Sequence, residues 1–196
     1  MNVLLHVCCG VCASVAAERL MCEGHTVTGY FYNPNIHPED EYRRRLDAAE
    51  KVAAGIGFEL IEGPYDRERW FTAVKGLEYD KEGGGRCLVC YEMRLRKTFE
   101  TMKKKGFGAF TTTLTLSPHK CSSAINEIGR KIDEDHFILC DFKKKGGFSR
   151  AGEIAVEIGI YRQNYCGCIY SLEESYEREN GKKKKTDEAG GSGQKG

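Results

Sequence analysis

The sequence has almost no charge of one sign to spare: 30 Lys and Arg stand against 29 Asp and Glu, a formal net of +1 across 196 residues. No field of the whole molecule selects a partner, so any contact with a nucleic acid has to come from local basic patches. Long apolar runs are missing too. No stretch approaches the roughly 20 continuous apolar residues of a membrane-spanning helix, which sets membrane proteins of that class aside. The apolar opening, MNVLLHVCCGVCASV, lacks the basic segment and tripartite build of a secretory signal and reads as a buried strand. There is no internal repeat. The expectation is a cytoplasmic chain of ordinary composition, 40% hydrophobic and 30% charged, long enough for one domain with its own core.

What the chain has in excess is cysteine, ten in all. A reducing compartment turns that count away from a disulfide framework and towards metal binding or catalysis. Seven fall into three tight groups: Cys8, Cys9 and Cys12; Cys87 and Cys90; Cys166 and Cys168. Cys22, Cys121 and Cys140 stand alone and read as packing residues. Scatter suits core cysteines, whereas clustering suits ligands.

Hydrophobic patterning predicts an α/β fold around a parallel sheet. Strands are expected at Asn2 to Val7, Thr26 to Tyr32, Phe58 to Ile61, Ala109 to Leu114 and near Phe137 to Cys140. Helices are expected over Cys12 to Cys22, from Glu39 to about Ala54, in two parts between Asp66 and Lys105, opening at Ser117 to Lys120, and near Arg150 to Ile158. Residues 1–180 form one catalytic domain on this reading. The tail 181–196 is expected to be disordered, and its GGSG stretch has the look of an appended linker. Ligands of such sheets gather at the carboxyl ends of the strands, so Cys8, Cys9 and the loop after Tyr32 should meet.

Each cysteine group has a functional and a bland reading. The CCxxC group sits between a strand and a helix N-terminus, a setting that lowers thiol pKa and favours metal. Neighbouring residues on a strand face opposite ways, so only one of Cys8 and Cys9 need reach a common site. The CxxC at Cys87 and Cys90 suits a redox dithiol, half of a zinc site or a chance pair. The CxC at Cys166 and Cys168, bent at Gly167, suits chelation or a packed loop. Together the groups weigh more. Four ligands close a structural zinc site, and seven clustered cysteines are better used by an iron–sulfur cluster with one iron open to substrate.

Polar company gathers around the same motifs. Tyr32, Asn33, Asn35 and His37 lie in FYNPNIHP, Arg86, Tyr91 and Arg94 flank the CxxC, and Tyr161 to Tyr165 precede the CxC. Singly, each Tyr is expected to be a core or rim residue, His37 and His119 solvated or capping residues, and His6 a satisfied core histidine. The basic runs 43–45, 103–105 and 143–145 read as solvated faces, any of which could meet RNA phosphates.

HVCCGVC, FYNPNIHPEDEYRRR, RCLVCYEMRL, TTTLTLSPHK and YRQNYCGCIYS resemble the epoxyqueuosine reductases of the QueH family, from about Asn2 to Ser171. The strand, tight turn, helix and onward α/β layout resemble the adenine nucleotide alpha hydrolase sheet of ATP-pyrophosphatase RNA-modifying enzymes, so a Rossmann-like core of that kind is expected, with additional helices and a cysteine-rich metal site. The QueH resemblance implies iron-dependent, two-electron reduction and dehydration of epoxyqueuosine to queuosine at the wobble position of transfer RNAs with GUN anticodons, the last step of queuosine formation. The electron donor is left unidentified. The implied cofactors are a [4Fe–4S] cluster and an adjacent iron. Cys8, Cys9, Cys87 and Cys90 are the expected cofactor-binding residues, and Cys8, Cys9, Cys12, Cys87, Cys90, Cys166 and Cys168 the expected metal ligands. Tyr32, His37, Tyr161 and Arg162 are candidates for supplying protons or holding the diol. Two other readings stay open: an ATP-pyrophosphatase-like RNA-modifying enzyme, although CCGVCAS puts Cys where a phosphate loop needs Gly, and a zinc-stapled RNA-binding module.

Overall fold

The computed structural model describes residues 1–177, so the expected tail at 181–196 lies outside the described residues. Four parallel strands form one sheet in the order β3-β2-β1-β4: β1 (Asn2–His6), β2 (Thr26–Phe31), β3 (Glu59–Glu62) and β4 (Ala109–Thr112). Helices α1 (Gly10–Cys22), α2 (Glu39–Ile56), α3 (Arg67–Ala73) and α4 (Gly85–Lys105) connect the strands, and α5 (Ser122–Ile132) and α6 (Gly147–Ile158) follow the last.

Strand alternation sorts the core into two layers. Val3, Leu5 and Val7 point to one face and pack with α1, α2 and α6 residues such as Ala13, Ala49 and Ile154. Leu4, on the other face, packs with Leu95 and Met102 of α4 and Ile125 of α5. Both faces of the central strand are covered, which is why β1 reads as a continuous apolar run rather than an alternating one. His6 shares the second face and is satisfied there as expected: Nδ1 lies 2.9 Å from Thr112 Oγ1 and Nε2 lies 3.2 Å from the Tyr32 carbonyl oxygen.

Four expected elements differ. The first helix starts at Gly10, two residues early, because the Cys9 sulfur caps it by accepting from the Cys12 N–H at 3.4 Å. The strand expected to reach Leu114 stops at Thr112, whose hydroxyl accepts from the Leu114 N–H at 3.1 Å and turns the chain into a 3-10 turn, Thr113–Leu116. The strand expected at Phe137 to Cys140 is reduced to a single parallel bridge between Phe110 and Phe137. Further along, Asn126 of α5 takes the backbone groups of Cys140, accepting from its N–H at 3.4 Å and donating to its carbonyl at 3.0 Å. The helix expected to open at Ser117 begins only at Ser122. Among the described residues, no helix is long and apolar enough to cross a membrane.

Candidate metal centre

The chain leaves β1 at the carboxyl edge of the sheet, and Cys8 follows at once. Its N–H donates to Thr113 Oγ1 at 3.0 Å, and that hydroxyl lies 3.2 Å from the Cys8 sulfur, which ties the first cysteine group to the end of β4. The sulfurs of Cys8, Cys9 and Cys12 all lie within 4.8 Å of one another, and those of Cys8 and Cys9 are 3.9 Å apart. Strand alternation does not separate them, because both residues lie past the last strand residue and the first helical turn carries Cys12 back to Cys9. A tetrahedral metal with metal–sulfur bonds of about 2.3 Å holds its thiolate sulfurs roughly 3.8 Å apart, a separation that the Cys8 and Cys9 sulfurs already have. Hydrogen bonds from Cys12 and then Cys9, helped by the Lys120 charge, hold the Cys8 thiol well below its usual range, while the same bond to Cys8 pushes Cys12 well above it.

Cys87 and Cys90 lie one turn apart at the start of α4, both buried, with the Gly83 N–H donating to the Cys87 sulfur at 3.2 Å. Gly167 has φ +121°, a conformation other residues rarely adopt, and it folds the CxC back so that the Cys166 and Cys168 sulfurs are 3.8 Å apart. Cys90 and Cys168 pack in one buried cluster with Trp70 and Val74, and Cys166 lies against it. Cys166 is also held well below its usual range, first by the hydrogen bond from Cys168 and then, against burial, by Lys120.

The CxC loop is held from α2. Arg45 is 2% exposed, so the expectation of a solvated run fails at this position. Its Nε donates to Glu41 Oε1 at 2.6 Å, Nη1 to the Cys166 carbonyl at 3.0 Å and Nη2 to the Tyr165 carbonyl at 3.1 Å. The Tyr161 hydroxyl donates to the other Glu41 oxygen at 2.9 Å. Arg45→Ala would leave buried Glu41 without its main partner and free two loop carbonyls. A loss of about 3 kcal/mol is expected in urea denaturation, where Arg43→Ala should cost less than about 1 kcal/mol.

A cavity of about 210 Å³ opens between the groups, lined by Cys8, Cys12 and Cys166 and by the cations Arg45, Arg94, Lys120 and Arg162. Arg94 is buried, with Nε donating to the Cys90 carbonyl at 3.2 Å and Nη1 facing Asn33 Oδ1 at 3.5 Å. Burial works against the charges of Arg94 and Lys120, yet both pKa values rise: Cys90 and Cys8 raise Arg94, and Cys166 and Cys8 raise Lys120. Gln163 Nε2 donates to the Cys9 sulfur at 2.9 Å.

The four candidate proton or diol residues are dispersed. Arg162 lines the cavity, and Tyr161 sits behind it on Glu41, with Arg44 4.1 Å over its ring. Tyr32 is fully buried and its ring stacks on Tyr30 at 6.0 Å. His37 is buried rather than solvated, its ring 5.1 Å from Trp70 and 4.7 Å from Phe71, and neither ring nitrogen has a hydrogen-bond partner. Burial, then Arg67, lowers its pKa to about 4. Below the unfolded value near 6.5 the unfolded chain binds the proton and the folded one does not. Stability is therefore expected to fall by roughly 2 kcal/mol between about pH 6.5 and 4, and urea denaturation of His37→Phe should lack that share of the loss.

Lys120, Thr113 and Arg45 had no clear signal as site residues; only the i,i+4 spacing of Glu41 and Arg45 hinted at a pair. Of the lone cysteines, Cys140 packs against the core, whereas Cys22 and Cys121 are exposed.

The model of the family described as epoxyqueuosine reductase QueH matches residues 3–174. The chain is 40% identical over 189 residues to the epoxyqueuosine reductase QueH of Haemophilus influenzae, covering 93% of this chain and 77% of that one. It is 39% identical over 185 residues to that of Thermotoga maritima, covering 90% and 93%. Among solved structures, a predicted subunit of tRNA methyltransferase from Methanocaldococcus jannaschii superposes with a TM-score of 0.54 at 18% identity, over 78% of this chain and 76% of that one, a likeness of fold alone. With two cysteine groups on one cavity, the third packed against the second through Cys90 and Cys168, and a family model spanning nearly all the described residues, the chain belongs to the QueH family of epoxyqueuosine reductases and is an oxidoreductase of that type.

Proposed function

We propose that this chain reduces epoxyqueuosine to queuosine at the wobble position of GUN-anticodon transfer RNA, using an iron–sulfur cluster and an adjacent iron. The observation that supports this reading is that Cys8, Cys12 and Cys166, from two distant segments, line one cationic cavity, while Cys90 from a third packs with Cys168 behind it. The donor set fits the metals. The seven clustered cysteines would hold the cluster and the further iron between them, with Cys8, Cys9, Cys87 and Cys90 as the cluster-binding residues proposed from the family resemblance. The wall around them also carries unmatched polar atoms: Trp70 Nε1, Asn35 Oδ1 and Gln163 Oε1 are buried with no hydrogen-bond partner. The sheet is read as the adenine nucleotide alpha hydrolase kind put to a different use, with thiols where a phosphate loop would present backbone.

Converting the epoxide to an alkene takes two electrons and two protons and releases water. The metals, when bound, supply electrons singly and Lewis acidity towards the oxygen. The chain's own groups do the rest. Arg94 and Lys120 offset the negative charge of the thiolates in a site partly closed to water. Arg162 on the cavity wall binds hydroxyl oxygens of the substrate, and Lys120 Nζ holds a proton beside them. Gln163 keeps Cys9 oriented through its 2.9 Å contact, and Tyr161 acts from behind by fixing Glu41.

Anaerobic purification with iron, sulfide and zinc determination, followed by an assay on epoxyqueuosine-containing transfer RNA, tests this. The expected result is four or five irons per chain, acid-labile sulfide and queuosine as product. Zinc alone with no sulfide after reconstitution would favour a stapled RNA-binding module, and ATP-dependent modification without iron would favour the pyrophosphatase-like reading.

A further inference from the structure

Three basic runs could meet RNA, and the fold treats them differently. In the run 43–45, Arg43 pairs with Glu39 at 3.4 Å and Glu62 at 3.7 Å, Arg44 lies over Tyr161, and Arg45 is buried. The run 103–105 ends α4, where lysines complement the helix C-terminus. It also lies at the amino edge of the sheet, since the Gly108 N–H just beyond it donates to the Asn2 carbonyl at 2.9 Å. The metal centre is at the opposite edge.

The run 143–145 is at the cavity. Lys143 Nζ donates to the carbonyl of cavity-lining Lys120 at 2.8 Å, anchoring the loop there. Arg19 holds it from below, donating to the Phe142, Lys144 and Lys145 carbonyls at 3.1, 2.8 and 3.3 Å. Lys144 and Lys145 are exposed, and neither is ion-paired among the described residues. Three residues on, Phe148 is 49% exposed and lines the cavity with Lys120 and Arg162. A held loop that offers two unpaired cations and an open aromatic face, beside cationic walls, matches the alternation of phosphate and base in an unpaired RNA strand.

We propose that the segment from Lys144 to Phe148 is the docking surface for the anticodon loop: Lys144 and Lys145 take backbone phosphates, and Phe148 stacks a base next to the one entering the cavity. This rests on the reductase reading above and says which basic run serves it.

The test uses metal-loaded protein and a fluorescent anticodon stem-loop RNA with a GUN anticodon, read by anisotropy over a salt series. Lys144→Ala with Lys145→Ala should weaken binding about tenfold at low salt and reduce the salt slope by roughly one to two, since each phosphate contact on a single strand contributes about 0.7. Phe148→Ala should weaken binding between about fivefold and a hundredfold with the slope unchanged. Lys104→Ala with Lys105→Ala should stay within about twofold of wild type. Iron content and visible spectrum of the Lys144 and Lys145 variant should match wild type. If the 144/145 and 148 variants bind like wild type, or the 104/105 pair loses as much, while wild type converts epoxyqueuosine RNA, the surface is wrong and the function stands. If loaded wild type neither binds nor converts that RNA, the functional reading fails and takes the surface with it.

Discussion

Replacing Cys8 with alanine is expected to leave the protein folded and to remove its activity. Cys8 is the half-buried member of its group, it lines the cavity, and its thiol is the one held well below the usual range. Cys8 packs against the core only from a partly buried position and alanine removes a single sulfur, so stability should change by about 1 kcal/mol. The chemistry should not survive. Losing one thiolate from a three-sulfur set leaves the others too few to hold iron firmly, and groups that act as a unit fail together. Turnover of epoxyqueuosine transfer RNA is expected to fall by about 10³-fold or more, close to 4 kcal/mol of barrier. Iron per chain should drop as well. Cys140→Ala is the control: Cys140 packs against the core away from the cavity and should keep both metal and activity. Full turnover by Cys8→Ala with normal iron would remove the CCxxC group from the mechanism.

The second large effect concerns the backbone behind those sulfurs. A Cβ placed on Gly10 would sit 2.5 Å from the Ala48 carbonyl oxygen and 2.7 Å from its carbon. The obstacle is the backbone of α2, which cannot rotate aside as a side chain could. Gly10 is also the first residue of α1, so any retreat of α1 carries Cys9 and Cys12 with it. Gly10→Val is expected to cost about 3 kcal/mol or more in urea denaturation, and the protein that does fold should retain less iron. Gly55→Ala in α2 should do the reverse. Its Cβ meets only Ile158 Cδ1 at 3.8 Å, and a gain of up to about 1 kcal/mol is expected from the helix and the unfolded chain. Equal effects at the two glycines would mean that helix propensity, not contact between α1 and α2, sets the requirement at position 10.

Most of the scaffold was legible because its signals are local. NVLLH, TVTGYF and the long amphipathic stretch after Pro38 carry their own periodicity, and each forms the expected element within a few residues. The errors came where a side chain outcompeted the backbone ladder. Thr112 ends β4 early and Asn126 takes the polar groups of Cys140, and hydroxyl and amide competition leaves no trace in hydrophobic pattern. Burial of charge was equally hidden. Arg45 looks like its neighbours Arg43 and Arg44 in a three-residue run, and only the carbonyls of a loop 120 residues later make it a core residue.

The α/β class, the strand-to-helix setting of the first cysteine group and the three cysteine groups are all written in local spacing, because each depends on residues a few positions apart. The sequence motifs also carried the family, since several specific segments had to coincide. The convergence of the Cys8, Cys9 and Cys12 sulfurs and the packing of Cys90 with Cys168 emerge from the folded chain alone. So does the placing of Arg162 at the cavity while Tyr32 and His37 are buried elsewhere. The reason is geometric: hydrophobic periodicity says which face of an element is buried, but not which other element buries it. Contacts between α4, the CxC loop and the end of β1 are set by the order of strands and the packing of helices across them.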